Sequence, residues 1–378
     1  MMSLDELLAY LEDRIDPAHC ESVEKLHVAA MDFKPVKSMP LSVMVPVDKR
    51  ISPFHYQDAF NDYEKMLFNE LAAVQPNVLN SVEIKDDYPL QIRPNYGIGL
   101  VASLLGLQVI VREGSMPWVH PVTLDEARKI IDMDVPLQRQ LGKKVQECCE
   151  FFREKLKPYP KCARYIHITQ PDLQGPFDNL HLLLGSEVFY TLVDDPDTAH
   201  ALLEKITETY IRYRKYIQSY IDDSADEGKK SYVHFGLYGG NVVIKEDTAT
   251  ATISDDMYGE FAAPYNAKVF EAFGNASLHY CGAQKPWHYD AVTKQKINCL
   301  NFGNSEMHDW NELYPILLKN KICAVNVGEG QPYGFIGDLL NSKTNISGGL
   351  SFMTSAKTKQ EALDLLIRHR EGGAFNRS

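Results

Sequence analysis

A histidine and a cysteine stand two residues apart in SLHYCG (277–282), and this pair is the first candidate for chemistry in the chain. Residues i and i+2 of a β-strand project to the same face, so His279 and Cys281 can reach one ion. An imidazole and a thiolate suit zinc, and a catalytic zinc needs only three protein ligands, which leaves a position for a substrate thiol or water. The pattern predicts a zinc site that activates a thiol. A half-buried histidine beside a core cysteine has the same spacing.

The sequence leaves the third ligand of this site open. Cys299 and Cys323 lie inside later apolar runs, where a cysteine also serves as a small buried hydrophobe. The segments after those runs offer other donors for a metal or for acid–base chemistry, namely His288, Glu306, His308 and Glu329.

Charged side chains near two earlier runs are further candidates. Asp86 and Asp87 follow the run 78–84 and can hold a cationic or N–H-rich substrate. Arg93 can pair with a substrate carboxylate. A charged pair at the start of a loop is also common in solvated turns.

Four more residues are candidates for the walls of the site. Asp172 and Asp247 stand just past strand ends and are site carboxylates or, alternatively, turn and cap residues. Trp118 and Tyr238 can line an apolar pocket, although an aromatic side chain is more often part of a core.

Strands that alternate with helices must position these residues. The β-branched and aromatic runs span 41–47, 78–84, 107–111, 164–169, 232–239, 277–282, 297–303, 322–328 and 346–352. About eight strand–helix units predict a single (β/α)8 TIM barrel over 1–378, with 1–40 as an N-terminal helical extension; a doubly wound open sheet is the rival. In a barrel the carboxyl ends of the strands meet at one mouth, where polar residues are typically catalytic.

Capping signals predict two helices with defined starts. Asp195-Pro196 begins one whose buried stripe runs from Ala199 to Tyr220 at helical spacing. Ser254 begins another, which Pro264 restarts and Gly274 ends.

Composition narrows the class of protein. The chain has 378 residues, 44% of them hydrophobic, and a formal net charge of -12 without any lysine/arginine block, which argues against nucleic acid and anionic membranes as partners. Its least polar stretch, 99–111, is too short for a bilayer of about 30 Å. The acidic N-terminus indicates a cytoplasmic protein, and seven cysteines without C-x-x-C indicate reduced thiols. We expect a small-molecule substrate. These features do not indicate an oligomeric state.

The segment 248–282 resembles the uroporphyrinogen decarboxylase superfamily, which includes the cobalamin-dependent methyltransferases. The resemblance rests on the helix pattern S-x-x-M-Y-x-x-F-x-x-P-Y (254–265), on FEAFG (270–274) and on LHYCG (278–282). Weaker similarity is found in RPNYG (93–97) and INCLNFG (297–303). The resemblance implies a single (β/α)8 barrel, in agreement with the count of units.

Within that superfamily the resemblance favours methyl transfer over decarboxylation. The decarboxylases carry an N-terminal Arg-Gln-Ala-Gly-Arg motif that holds substrate carboxylates, whereas here only Lys49 and Arg50 are near the first strand. The methyltransferases carry H-x-C, matched by His279 and Cys281. Their zinc activates a thiol that takes a methyl group from a methylated corrinoid carried by a partner protein. Their third ligand is a cysteine of the last strand, and we expect that strand to begin only near 371–378.

Three hypotheses follow. The first is a zinc-dependent methyltransferase with His279 and Cys281 as ligands and Glu329 or Asp247 near the transferred group, acting between a corrinoid protein or methylated small molecule and a thiol or pterin. The second is a decarboxylase of uroporphyrinogen or a related tetrapyrrole, in which Asp86 or Asp87 binds pyrrole N–H groups. The third is a non-catalytic barrel that binds a corrinoid or tetrapyrrole without turnover.

Overall fold

The computed structural model describes most of the chain. The described residues are 2–112, 116–223, 231–233, 236–238, 241–274, 276–283, 286–342 and 346–372, and the side chains of 231–238, 286–288 and 372 are outside this description. The fold is mixed α/β.

The largest sheet of the described residues has six parallel strands in the order β1-β12-β11-β10-β9-β8. The strands are β1 (Leu41–Met44), β2 (Gln91–Ile92), β3 (Val109–Ile110), β4 (Trp118–Val119), β5 (His167–Ile168), β6 (Ser231–Val233), β7 (Gly236–Tyr238), β8 (Val243–Lys245), β9 (Ser277–Tyr280), β10 (Cys299–Phe302), β11 (Cys323–Val327) and β12 (Leu350–Ser355). β2 pairs with β5 in parallel, while β3–β4 and β6–β7 are antiparallel pairs.

Helices connect and cover the strands. They are α1 (Leu4–Arg14), α2 (Pro17–Met31), α3 (Tyr56–Asn61), α4 (Tyr63–Ala72), α5 (Val78–Ile84), α6 (Leu100–Leu104), α7 (Leu124–Ile131), α8 (Leu141–Leu156), α9 (Pro160–Tyr165), α10 (Pro176–Leu184), α11 (Glu187–Asp194), α12 (Pro196–Ile217), α13 (Asp247–Thr252), α14 (Asp255–Phe261), α15 (Ala263–Phe273), α16 (Pro286–Lys294), α17 (Trp310–Asn320), α18 (Tyr333–Leu340) and α19 (Lys359–Gly372). A short 3₁₀ turn spans Ser305–Met307. None of the helices described in the structure is long and apolar enough to span a bilayer.

The capping signals of the two predicted helices are confirmed. The Asp195 side chain accepts a hydrogen bond from the Thr198 amide at the start of α12, and Ser254 caps α14 through the Met257 amide. α15 carries a proline in its first turn and ends at Gly274, whose φ of 82° suits glycine. α12 ends at Ile217, so Tyr220 lies just beyond the buried stripe.

The strand expected at 78–84 is wrong, because this segment is the helix α5. Asn77 caps it by accepting a hydrogen bond from the Asn80 amide, and residues on several faces of the short helix are buried. Its valines and isoleucine, which favour strands on a half-exposed sheet, are equally suited to a helix that is packed on several sides.

The last strand also lies elsewhere than expected. β12 occupies the position between β11 and β1 in the sheet, and residues 359–372 form the helix α19 behind it. β12 has the sequence LSFMTS, so the sheet's last strand supplies no cysteine.

Hydrogen bonds tie both edges of the six-stranded sheet to neighbouring segments. At the β1 edge, the Asp87 amide donates to Leu41 O (3.0 Å), and the Leu41 and Val43 amides donate to the carboxylates of Asp87 and Asp86 (3.0 and 2.8 Å). At the β8 edge, Gln170 and Tyr210 both donate to the Val243 carbonyl. Asp86 and Asp87 precede β2, and Gln170 follows β5, so the parallel pair is linked to both edges.

Candidate metal centre

Three polar side chains form a row across neighbouring strands. Lys245 of β8 and Asn301 of β10 are both in register with His279 of β9. Register partners in a parallel sheet point to the same face, so the three side chains share one side of the sheet. Cys281, two residues after His279, continues on that side.

Asn301 fixes the tautomer of His279. The Asn301 amide nitrogen donates to the Val325 carbonyl (2.9 Å), which turns its oxygen toward His279 Nδ1 at 2.6 Å. Nδ1 must then carry the proton and donate it, and Nε2 carries the lone pair. Nε2 lies 3.6 Å from Cys281 Sγ and 3.7 Å from Asp247 Oδ1. A hydrogen bond that orients a histidine in this way is typical of metal ligands.

Asp247 completes a group of three donors. It begins α13, directly after β8, and its carboxylate accepts a hydrogen bond from the Cys281 amide (2.7 Å). One ligand atom from each of Asp247, His279 and Cys281 lies within 4.8 Å of the other two, so this group can hold a metal ion. His279 is buried, whereas Cys281 is exposed at the rim.

Gly303 provides the space for the cysteine sulfur. A Cβ atom at this position would stand 2.5 Å from Cys281 Sγ. The Gly303 amide donates to the Tyr280 carbonyl, which holds the two segments together. Any larger residue at 303 therefore has to displace the thiol.

The surroundings of the site keep the His279 imidazole and the Cys281 thiol neutral until a cation binds. Burial and the nearby Lys245 lower the pKa of His279, which keeps its imidazole neutral. Partial burial and the Asp247 carboxylate raise the pKa of Cys281 to about 12. A divalent cation reverses this balance because it stabilises the thiolate directly.

A cavity adjoins the row and contains two of the predicted binding residues. Arg93, Asp172 and Lys245 contribute to its lining, and the space open to the centre of a water-sized sphere is about 40 Å³. Lys245 forms an ion pair with the buried Asp172 carboxylate, and the cations Lys245 and Arg93 lower the pKa of Asp172. Glu329 is half-buried and burial raises its pKa, while the charges of Lys245 and Arg93 act in the opposite direction.

Two other predicted residues, Asp86 and Trp118, lie outside the metal group and outside the Arg93 cavity. The Asp86 carboxylate accepts hydrogen bonds from the Val43 and Tyr88 amides, which favours a structural role over the catalytic one expected from the sequence. Trp118 lies on the β3–β4 hairpin with 54% of its surface exposed, outside the lining of the Arg93 cavity. The side chain of Tyr238 lies outside the described residues, as does that of His288.

The alternative third ligands whose side chains the structure describes do not join the group. Cys299 and Cys323 are buried register partners at the first positions of their strands. Cys299 is two residues, roughly 7 Å, before the level of His279 on the neighbouring strand. His308 packs its ring 4.6 Å from that of Phe302, and Glu306 is exposed.

Sequence reasoning missed Lys245, Asn301 and Gly303. Asn301 lies in the run 297–303, but its side chain becomes notable only once β9 and β10 are known to be neighbours. The same holds for Lys245, which follows apolar residues and resembles a strand end facing solvent. Gly303 was visible as a glycine that ends a strand, without a sign that Cys281 would fill its space.

No known protein-family model matches this chain, and a search of curated proteins finds no significant match. The chemistry of the site therefore has to be inferred from its own side chains.

Proposed function

We propose that β1, β2, β5 and β8 to β12 form a single (β/α)8 barrel with the metal group at its carboxyl-terminal mouth. The observation that supports closure is the set of hydrogen bonds at both edges of the six-stranded sheet, from the Asp86–Asp87 segment to β1 and from Gln170 and Tyr210 to β8. In a barrel, neighbouring strands follow one another along the chain. The six-stranded sheet has this order from β8 to β12 and on to β1, and the β2–β5 pair would fill the gap between β1 and β8.

We propose that this barrel is a zinc-dependent methyltransferase of the uroporphyrinogen decarboxylase superfamily. The observation that carries the proposal is the convergence of Asp247, His279 and Cys281 within 4.8 Å. Nitrogen, oxygen and sulfur donors in one group suit zinc, and three protein ligands leave a position for the substrate. Asp247 takes the place of the cysteine that the family's last strand provides. Bound there, zinc would lower the pKa of an acceptor thiol so that its sulfur can attack a methyl group.

The surrounding residues prepare the site for that reaction. Asn301 holds the His279 ring with Nε2 directed at the other two donors. Glu329 is close enough for its charge to act on the Cys281 thiol, and its own pKa is raised by burial. A carboxylate with a raised pKa is suited to accept the proton that the acceptor thiol releases. The methyl group would come from a methylated corrinoid on a partner protein or from a methylated small molecule.

The cations near the first strand do not favour decarboxylation. Arg50 is paired with Asp48 at 2.8 Å and with Glu83 at 2.5 Å. Asp86, which would bind pyrrole N–H groups, accepts backbone hydrogen bonds instead. Two of the residues that a porphyrinogen would require are thus occupied by intramolecular contacts.

The metal content of the purified protein tests this function. We expect about one zinc per chain, lost in Cys281→Ser and retained in Cys20→Ser, a half-buried cysteine outside the group. Asp247→Asn should weaken zinc binding if Asp247 is the third ligand. Metal-free protein with an intact fold, or zinc that survives in Cys281→Ser, would refute the proposed site.

Turnover separates the three functions. With methylcobalamin and a thiol, the zinc-loaded protein should produce a thioether, and Cys281→Ser should not. Decarboxylation of a porphyrinogen by metal-free protein would support the second hypothesis. Corrinoid binding without any turnover would support a carrier.

A further inference from the structure

The cavity beside the metal group contains an arginine, Arg93, whose Nε has no hydrogen-bond partner among the described residues. The side chain of Arg93 lines the cavity together with Asp172 and Lys245. Its Nε is buried without a hydrogen bond, and within the described part of the chain its guanidinium has no ion pair within 4 Å. A buried guanidinium donor normally has a carboxylate or carbonyl partner, so an unmatched one indicates a missing acceptor.

The nearby acids do not accept a hydrogen bond from the Arg93 guanidinium, although the charge of Arg93 affects the pKa of three of them. The cation of Arg93 lowers the pKa of Glu70, Asp172 and Glu329 relative to what burial alone would give. The Asp172 carboxylate is held by Lys245 and by the Gln174 side chain. The Glu70 carboxylate accepts from the side-chain amide of Asn95 and from the Arg93 backbone amide, not from its guanidinium.

The charged side chains of the cavity favour a ligand with a single negative charge. Lys245 and Asp172 pair with each other, and Glu70, the other acid of the lining, accepts hydrogen bonds from Asn95 and from the Arg93 backbone amide. The Arg93 guanidinium is therefore the cation of the lining that keeps a donor for a guest. The acids around it would repel a dianion more than a monoanion. The flat guanidinium offers two parallel N–H donors to a planar carboxylate.

The cavity and the metal group share a wall. Lys245 lines the cavity and is the register partner of His279 on the adjacent strand. The charge of Glu329 acts on Cys281, and its own pKa responds to the charges of Lys245 and Arg93. A small molecule can therefore have one end at Arg93 and the other at the metal group.

We propose that Arg93 binds a carboxylate of the substrate, and that the methyl acceptor is a small thiol that carries a carboxylate group. The thiol part of this statement rests on the proposed function. The carboxylate part rests on the cavity alone and does not require a metal.

Isothermal titration with simple probes tests the carboxylate site. The probes are propionate, its neutral analogue propionamide, inorganic phosphate and 3-mercaptopropionate, each titrated into metal-depleted and zinc-loaded protein. The variants are Arg93→Gln and, as a matched control, Arg112→Gln, which removes an exposed arginine outside the cavity lining. Thermal unfolding of each variant reports whether the fold is intact.

We expect propionate to bind the metal-depleted protein, and its affinity to fall by about tenfold or more in Arg93→Gln, as for loss of a charge-assisted hydrogen bond. Arg112→Gln should bind propionate like the wild type. Zinc should strengthen the binding of 3-mercaptopropionate and leave that of propionate unchanged. If Arg93→Gln does not fold, Arg93→Lys should bind propionate several-fold more weakly, because it keeps the charge but loses the paired donors.

Several results would overturn the carboxylate site: no propionate binding to the wild type, equal binding of propionamide, tighter binding of phosphate, or unchanged affinity in a folded Arg93 variant. These outcomes are distinct from a failure of the proposed function. Propionate binding that depends on Arg93 in a protein that never binds zinc would support the cavity site while it refutes thiol activation by zinc.

Discussion

At the scale of single residues, the site depends on side chains that hold the three donors rather than on the donors alone. The Asn301 side-chain oxygen accepts a hydrogen bond from His279 Nδ1, and the Asn301 side-chain nitrogen donates to the Val325 carbonyl, which fixes the amide group. Gly303 leaves the space that the Cys281 sulfur occupies. Both residues can be changed without removing a ligand, which separates orientation from ligation.

Asn301→Ala should reduce zinc affinity by about 10- to 100-fold, because the imidazole loses the hydrogen bond that fixes its tautomer and ring. Chelator competition measures the affinity. Asn320→Ala, at the exposed end of α17, is the control and should bind zinc like the wild type. Equal zinc affinity in Asn301→Ala and wild type would show that the asparagine does not position a metal ligand.

Gly303→Ala should weaken zinc binding by about tenfold or more, because its Cβ displaces the Cys281 sulfur while the backbone hydrogen bond remains possible. The same chelator assay applies. Gly259→Ala in α14 is the matched control, since a Cβ there meets nothing within 4 Å. The proposal is contradicted if both alanine variants retain wild-type affinity.

At the scale of elements, α14 and α15 bury an acid next to the site. Glu246 follows β8, and its carboxyl group contacts the Tyr258 hydroxyl (2.7 Å) and the Asn266 side-chain amide. Burial raises the pKa of Glu246 to about 8, so the acid is neutral in the folded protein at neutral pH. The Asn266 side-chain nitrogen donates to the Glu246 carboxyl oxygen. Tyr258 belongs to the sequence pattern on which the family resemblance rests. Its hydrogen bond to the buried Glu246 is a structural role that explains a tyrosine at this position.

Glu246 should make the folded protein less stable as the pH rises from about 5 to 8. An unfolded chain releases the Glu246 proton near its ordinary pKa of 4.5, whereas the folded chain keeps it up to about 8. In this interval the folded state binds more protons, so the free energy of unfolding falls with pH, by at most about 1.4 kcal/mol per pH unit for one group.

Glu246→Gln should flatten that fall, as measured by urea unfolding at pH 5, 6.5 and 8. Asp178, whose pKa burial raises to about 7, contributes in the same direction and should leave a smaller residual slope. Glu260→Gln, on the exposed face of α14, serves as the control and should keep the full slope. A slope in Glu246→Gln equal to that of wild type would contradict the assignment.

At the scale of the whole molecule, side chains join the six-stranded sheet to the β2–β5 pair. The Tyr210 hydroxyl of α12 donates to the Val243 carbonyl at 2.5 Å, and Gln170 donates to the same carbonyl at 3.1 Å. On the other edge, the carboxylates of Asp86 and Asp87 accept from β1 amides. Together with the backbone hydrogen bond from the Asp87 amide to Leu41 O, these contacts hold the two edges, and the proposed barrel depends on them.

Tyr210→Phe should lower the free energy of unfolding by about 1 kcal/mol, the typical contribution of one buried hydrogen bond. Combined with Gln170→Leu, the loss should exceed the sum of the two single losses, because the Val243 carbonyl then has neither donor. Urea unfolding measures both. Tyr190→Phe changes an exposed residue and should alter the free energy of unfolding little. If Tyr210→Phe loses no more stability than Tyr190→Phe, the Tyr210 hydrogen bond does not help to close the proposed barrel.

The sequence alone predicts the features that depend on residues close together in the chain. The caps at Asp195 and Ser254, the helix end at Gly274 and the strand that carries His279 and ends just before Cys281 all follow from local hydrogen bonding and side-chain periodicity. The segment 78–84 shows where this fails: its apolar residues fit a strand or a helix, and the packing on its several faces decided for the helix α5.

Only the tertiary structure decided how the site is assembled. Asp247 meets Cys281 across 34 residues of chain, and His279 meets Asn301 across 22. Each contact exists because β8, β9 and β10 pair in parallel with one particular register, and a shift of one residue would turn the side chains to the opposite face. Strand order and register are set by the packing of the whole molecule. The sequence could therefore name His279, Cys281 and Asp247 as candidates, but not that Asp247 joins the other two as a third donor, nor that Asn301 and Gly303 surround them.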